Sequence, residues 1–278
     1  MDIIKYLDRS DLWAMTLVAA RFRAAANNIL YHELFLYNSK LSRLLVSIKV
    51  NPSNATRTKC IHIWLEAKRT PPQTWEDLFV LLTHMQNLER LHVSPVGYLN
   101  GVEWYPPPMP RLQILEFKRL RMTAQLAESL VALPSLKCLK MGRIHPLSVL
   151  AADPDPTSEH LKTIMNNLVE FEGSIALTKY LRDYGKLKYL SISLSEGMEE
   201  EWRFLHQAAG ATLQFLRIRS AELYDYPQLL SRASKFSALR YLGVVPLNIT
   251  EPYSTDVCHI SFAVVARIPI LLIGEFRS

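Results

Sequence analysis

Hydrophobic positions along this chain return in one phrase: leucine, two variable residues, leucine, one variable residue, then an aliphatic or aromatic side chain. It occurs as Leu88-x-x-Leu91-x-Val93, Leu112-x-x-Leu115-x-Phe117, Leu136-x-x-Leu139-x-Met141, Leu187-x-x-Leu190-x-Ile192, Leu213-x-x-Leu216-x-Ile218 and Leu239-x-x-Leu242-x-Val244. The steps 88 to 112 and 112 to 136 are 24 residues each, and 187 to 213 and 213 to 239 are 26 each. A repeat of that length holds one short strand and one returning helix or irregular segment. Within the phrase the last two apolar positions are two apart, the period of a strand with one buried face.

The gap from 136 to 187 has room for a degenerate unit at Leu168-Val-Glu-Phe171-Glu-Gly173. Weaker echoes stand at Thr58-x-x-Ile61-x-Ile63 before the array and Ile268-x-x-Leu271-x-Ile273 after it, as expected of terminal units that cap a stack. Two or three Leu-x-x-Leu matches arise by chance in any protein, but six in similar phase do not. The pattern resembles leucine-rich repeats, and the resemblance implies an α/β solenoid with parallel strands on a concave face and helices outside. It departs from that family five residues after the second leucine. An Asn or Cys usually bonds the turning backbone there, whereas this chain has Val96, Leu120, Ile144, Ser195, Ala221 and Leu247. Its turns must satisfy their backbone groups differently, so the loops are expected to be irregular and unequal.

Between the strand phrases, helical spacing dominates. Trp75, Leu78, Phe79, Leu82 and Met85 form one apolar face behind Pro71-Pro72, a favoured helix start. Shorter helical signals fall at Leu126 and Leu130, Leu177 and Leu181, Trp202 and Leu205, and Leu229 with Leu230. Tyr98 to Pro110 and Ala151 to Glu159 are proline-rich and predict extended connections.

Residues 1–36 differ in kind from the array over 37–278. They predict short helices and lack the phrase until Tyr31-x-x-Leu34-x-Leu36. Ser10 and Asp11 are natural caps for a helix whose Leu12, Met15 and Val18 share a face. Ile4-x-Tyr6-Leu7-Asp8-x-x-Asp11-Leu12, followed by Leu17-Val18-x-x-x-Phe22, resembles the later part of an F-box. On this resemblance the family's opening Leu-Pro would lie before Met1. That helical module docks onto the adaptor subunit of cullin-type (SCF) ubiquitin ligases, and repeat domains behind it commonly receive the substrate. The resemblance implies adaptor binding through Ile4, Leu7, Leu12, Leu17 and Val18, some of which must instead be module core. The plainer alternative for 1–36 is a helical cap on the repeat core.

On parallel strands the residues flanking each second leucine point to the open face. Those before it are Arg90, Ile114, Cys138, Glu170, Tyr189, Phe215 and Tyr241; those after it are His92, Glu116, Lys140, Glu172, Ser191, Arg217 and Gly243. Arg90, His92, Glu116, Lys140, Tyr189, Phe215, Arg217 and Tyr241 are accordingly the candidate substrate contacts. Tyr189, Phe215 and Tyr241 hold the same place in successive units and predict an aromatic row. Such a row can anchor a partner, or it can simply stabilise its own sheet.

Composition adjusts this picture only slightly. At 278 residues, 49% hydrophobic and 21% charged, the chain can bury a sizeable core. Residues 1–6 carry no secretory leader pattern, and the apolar stretch from Ile260 to Gly274, broken by Arg267 and Pro269, is too short to span a bilayer. Cys60, Cys138 and Cys258 lie far apart, which suits a reducing cytoplasm or nucleus and gives no metal signature. Asn54-Ala-Thr56 and Asn248-Ile-Thr250 match the glycosylation pattern, but no secretory route is expected to use them. The net charge is +6, with basic residues at Arg111, Lys118, Arg119, Arg121, Lys137, Lys140 and Arg143. This suits a solvated surface or an acidic partner, and no nucleic-acid reading motif accompanies it. Glu199-Glu200-Glu201 places negative charge at a helix start.

Catalytic patterns are missing. There is no G-x-G-x-x-G or H-E-x-x-H, and Gly185-Lys186-Leu187 lacks the rest of a phosphate-binding loop. No cysteine stands in a recognisable thiol-enzyme motif. The expectation is a non-catalytic, cofactor-free substrate receptor that binds a ligase adaptor, and through it a cullin, by its N-terminus and an unidentified protein by its repeat face. The alternative is a stand-alone repeat scaffold. A thiol or hydrolytic enzyme on an unusual frame is the remaining option.

Overall fold

The structure, a computed structural model, describes residues 8–18, 20–66, 72–96, 105–117, 124–141, 157–180, 186–194, 199–220, 231–246 and 260–262. The chain divides into two compact units, one of residues 1–120 with 124–136, the other of 121–123 with 137–278.

In the first unit, helices α1 (Arg9–Val18) and α2 (Ala20–Leu30) precede strand β1 (Glu33–Tyr37), helix α3 (Asn38–Val50), the short α4 (Ser53–Arg57) and strand β2 (Cys60–Glu66). Helix α5 (Pro72–Thr83), strands β3 (Arg90–Val96) and β4 (Ile114–Phe117), and helix α6 (Ala124–Val131) follow. β1 to β4 pair in parallel in sequence order. The echo at 58–63 therefore is a strand, and so is the phrase at 31–36. The boundary drawn at residue 36 falls inside β1, which pairs with β2 from Glu33 to Tyr37.

In the second unit, strand β5 (Cys138–Met141), helix α7 (Thr157–Asn167), strand β6 (Glu170–Ser174) and a 3-10 helix (Ile175–Tyr180) lead to strand β7 (Tyr189–Leu194). Helix α8 (Glu199–Ala209) and strands β8 (Phe215–Ser220), β9 (Tyr241–Pro246) and β10 (Ile260–Phe262) complete it. β5 to β9 are parallel neighbours in order, so the degenerate phrase at 168–173 forms β6. β10 departs from the expected parallel series and lies antiparallel on β9, Ile260 opposite Val244. The echo at 268–273 lies outside the described residues.

The repeat leucines are the core. Leu88, Leu91, Leu112, Leu115, Leu136, Leu139, Leu187, Leu190, Leu213, Leu216, Leu239 and Leu242 are all buried, each worth about 1.5–3 kcal/mol relative to exposure. Backbone groups at the strand entries pair in a regular way. The amides of Leu88, Leu112, Leu136, Leu168 and Leu239 bond the carbonyls of Met85, Met109, Leu133, Met165 and Phe236, three residues back. Those five carbonyl residues are themselves buried. One carbonyl per entry then accepts two amides from the next strand: His32 from Lys59 and Cys60, Lys59 from Glu89 and Arg90, Val169 from Lys188 and Tyr189, Gln214 from Arg240 and Tyr241. A backbone ladder thus satisfies the strand entries; of the positions where the family carries Asn or Cys, only Val96 lies within the described residues.

Helix α5 buries Trp75, Leu78, Leu81 and Leu82, and Met85 is buried just past its end, while Phe79 sits half-buried, edge-on to Tyr105 at 6.1 Å. Three expectations are corrected. The helix expected at Leu177 and Leu181 is the 3-10 segment Ile175–Tyr180, which climbs faster per residue than an α-helix and suits the short link from β6 to β7. Helix α7 begins at Thr157, inside the stretch expected to be extended through Glu159. Finally, the cap of α1 is Asp8 rather than Ser10 or Asp11. Its carboxylate accepts the Asp11 amide at 2.8 Å and the Ser10 hydroxyl at 2.7 Å, placing both of those residues in the first turn.

Candidate functional site

Alternation along each strand sends one set of side chains into the core and leaves the other on an open face. Leu34 and Leu36 of β1, Ile61 and Ile63 of β2, and Leu91 and Val93 of β3 are buried. Between them, Glu33, Phe35 and Tyr37, then Cys60, His62 and Trp64, then Arg90 and His92, share the opposite face in register.

In the second unit the predicted aromatic row exists. Tyr189 stacks on Phe215 with ring centroids 4.7 Å apart, and Phe215 meets Tyr241 at 5.7 Å. Tyr189 is 40% exposed, so the row begins with an accessible ring. Gly243 makes room for its end, because a Cβ there would stand 3.0 Å from Cε1 of Tyr241. Charge surrounds the row: Lys140 pairs with Glu170 at 2.7 Å, and Arg219 pairs with Glu172 at 2.7 Å. Arg217, half-buried, aligns with Ser191 and Gly243. Cys138, expected to face outward, is buried.

The first unit carries a larger aromatic platform. Phe35 and His62 stack at 4.6 Å, Tyr37 and Trp64 at 5.3 Å, and His62 and His92 approach to 5.4 Å. Tyr37 is 54% exposed. Arg9 of α1 lies over the Phe35 ring at 5.3 Å and donates from Nη2 to the Glu33 carbonyl at 2.8 Å; Lys40 lies over Tyr37 at 5.8 Å. Of the residues expected to contact a partner, Arg90, His92 and Glu116 stand on this face, with His92 Nδ1 3.0 Å from the Glu116 carboxylate. Phe35, Tyr37, His62 and Trp64 were missed. The alternation that singled out His92 applies equally to the phrases at 31–36 and 58–63, and would have found them.

One cluster on this face is chemically distinctive. His62 Nε2 lies 3.0 Å from Glu33 Oε1 and 3.3 Å from Cys60 Sγ, and the three donor atoms lie within 4.8 Å of one another. Burial pushes the Cys60 thiol up to about 11; Arg90 opposes the rise and the Glu33 carboxylate adds to it. Burial acts to raise the Glu33 carboxyl too, but hydrogen bonds with His62 and Cys60 and the charges of His62 and Arg90 outweigh it. Its pKa falls below the ordinary range.

The N-terminal helices form a small core of their own. Leu12 and Ala26 are buried, with Met15, Phe22, Ala25, Ile29 and Leu30 packed against them. Leu12 is therefore module core rather than an outward contact. Leu17 is 68% exposed, and Trp13, one turn before it and unremarked in the sequence pattern, is 61% exposed. Ile4 and Leu7 lie outside the described residues, as does the side chain of Val18.

Among the described residues, no helix is long and apolar enough to cross a membrane. No protein-family model matches this chain, and no curated protein matches it. Among solved structures it is similar to a structural-genomics crystal structure of a Bacteroides fragilis protein, with a TM-score of 0.50 and 15% sequence identity. The likeness covers 73% of this chain and 63% of that one, so this chain spans less than two thirds of that protein. At this identity the likeness concerns the fold alone, a repeat-like α/β arrangement with a parallel sheet.

Proposed function

We propose that this chain is a non-catalytic substrate-recognition subunit of a cullin-type ubiquitin ligase, built from an F-box-like helical module and divergent leucine-rich repeats. The module holds the adaptor, and through it the cullin; the open strand face holds a protein substrate. A cytoplasmic or nuclear setting goes with that role.

The observation that carries the reading is the orientation of α1. Leu12 faces α2 and disappears into the module's core, while Trp13 and Leu17, four residues apart and so on one side of the helix, stand in solvent. Large apolar side chains paired on an exposed helix face favour a partner that buries them. The aromatic rows on the strand face offer the second surface such a receptor needs, since aromatic side chains dominate binding hot spots.

The alternative, a stand-alone repeat scaffold capped by these helices, draws support from Arg9. Its bond to the Glu33 carbonyl and its place over Phe35 tie α1 to β1 as a cap would. Co-purification with the ligase adaptor separates the two readings. The receptor reading expects capture by the wild-type chain and its loss in Trp13→Glu/Leu17→Glu, with far-ultraviolet circular dichroism unchanged. A folded wild-type chain that captures no adaptor sinks the receptor and leaves the scaffold.

A further inference from the structure

β1 and β2 pair so that Glu33 stands beside Cys60, and His62 follows two residues along on the same face. Strand geometry fixes these positions before any side-chain rotamer is chosen. The side chains then converge on one point, because a single ring nitrogen, His62 Nε2, is approached by both the Glu33 carboxylate at 3.0 Å and the Cys60 sulfur at 3.3 Å. As a hydrogen-bonded cluster, His62 Nε2 and the Cys60 thiol can both donate to the Glu33 carboxylate, which leaves the approach of Nε2 to Sγ without a proton of its own. A metal ion uses all three donors together.

We propose that Glu33, Cys60 and His62 form a three-ligand site for a zinc-class transition-metal cation, with its fourth position open to solvent on the strand face.

The donor set of one sulfur, one imidazole nitrogen and one carboxylate oxygen selects a borderline-soft ion over magnesium or calcium, which prefer oxygen alone. Bonds of about 2.3 Å to sulfur and about 2.0–2.2 Å to nitrogen and oxygen, at tetrahedral angles, separate the donors by roughly 3.3–3.6 Å. The spacings of 3.0 and 3.3 Å need only a small spreading to reach that. The ring is already oriented, for Phe35 lies parallel to it, 5° away, at 4.6 Å. Cys60 is buried whereas Glu33 and His62 are partly open, 44% and 26% exposed in their side chains. A metal would thus be anchored from beneath and reached from above. On binding, the Cys60 proton leaves to solvent as the sulfur–metal bond forms, so thiolate and carboxylate give two negative charges against the one positive charge of Arg90, the register neighbour of Cys60. The site shares no residue with the exposed pair Trp13 and Leu17 and needs no ligase role.

Cobalt(II) titration of the full chain, stripped of metal and kept reduced, tests this. The expected result is one equivalent bound, with a thiolate-to-cobalt charge-transfer band that zinc(II) abolishes by displacement. Cys60→Ser removes the band and Cys138→Ser and Cys258→Ser leave it. Glu33→Gln, at a partly exposed position that keeps the fold, weakens cobalt affinity about tenfold or more, which keeps the test decisive should Cys60→Ser not fold. No band in the wild-type chain, a band that persists in folded Cys60→Ser, or an affinity indifferent to Glu33→Gln overturns the site and leaves a hydrogen-bonded cluster.

Discussion

Phe171 lays its ring over the place where a side chain on Gly173 would stand: a Cβ at Gly173 would lie 2.6 Å from Cζ of Phe171. Elsewhere in the array these two positions are leucine and an aliphatic or aromatic residue, as in Leu190 and Ile192 or Leu216 and Ile218. The degenerate unit fills the same core volume with a large side chain at one position and none at the other.

The exchange is expected to show as strong coupling. Phe171→Leu leaves a void in a fully buried site and costs about 1–2 kcal/mol, and Gly173→Ile overpacks the wild-type ring by about 1–3 kcal/mol. The double variant restores the pattern of the other units and should lose far less than the two costs combined, with a coupling of about 1 kcal/mol or more in a urea-unfolding cycle. Simple additivity would show that the two residues do not share one volume.

On the open face, the row of Tyr189, Phe215 and Tyr241 separates partner binding from sheet support. Tyr189→Ala, at the exposed end, should abolish partner capture while lowering stability by about 0.5–1 kcal/mol. Phe215→Ala, stacked on one ring and tilted against the other, should reduce both. Pull-down and urea unfolding of the same variants give the comparison; a Tyr189→Ala protein that binds normally would assign the row to the sheet alone.

Acid should weaken the first unit through carboxylates held in their charged form. The Lys59 ammonium, bonded to Glu89 at 2.8 Å, lowers the Glu89 pKa from its ordinary 4.5, and the Asp11 amide and Ser10 hydroxyl lower that of Asp8 from 3.8. A folded-state pKa below the unfolded one gives stability that is fully present above the unfolded value. That stability is lost as pH falls through the folded value. Glu89→Gln and Asp8→Asn should therefore flatten the acid limb of the stability profile below about 4.5, with little change at neutral pH in the slope. Both groups are solvent-exposed, so the effect is small and is reduced further by salt for the Lys59–Glu89 pair. An unchanged acid limb in both variants would contradict it.

The strands were legible because a leucine phrase records burial directly. One apolar side chain every second residue is the physical requirement of a strand with one buried face, and even Ile61, Leu34 and Phe171 kept that requirement where the phrase had decayed. The row of Tyr189, Phe215 and Tyr241 was legible for the same reason, since equal phase in neighbouring parallel strands means adjacency. Helix caps and links were less so. Asp8 rather than Ser10 begins α1, and the short path from β6 to β7 takes a 3-10 turn, because both outcomes depend on how the chain enters and leaves an element and not on its periodicity.

By itself, then, the sequence determined the repeat, its strands and which residues alternate between core and open face, all consequences of spacing along one chain. Tertiary structure alone decided how helices turn on the core and where side chains on neighbouring strands converge. The rotation of α1 about its axis sends Leu12 inward and Trp13 outward. The register of β1 on β2 brings Glu33 to Cys60 and His62, though His62 lies 29 residues from Glu33 in the chain. The phase of the phrases at 31–36 and 58–63 already sets Leu34 opposite Ile61 and so Glu33 opposite Cys60, but spacing carries no record of the side-chain rotamers that turn Glu33 and Cys60 onto one nitrogen of His62, because these are fixed by packing in three dimensions.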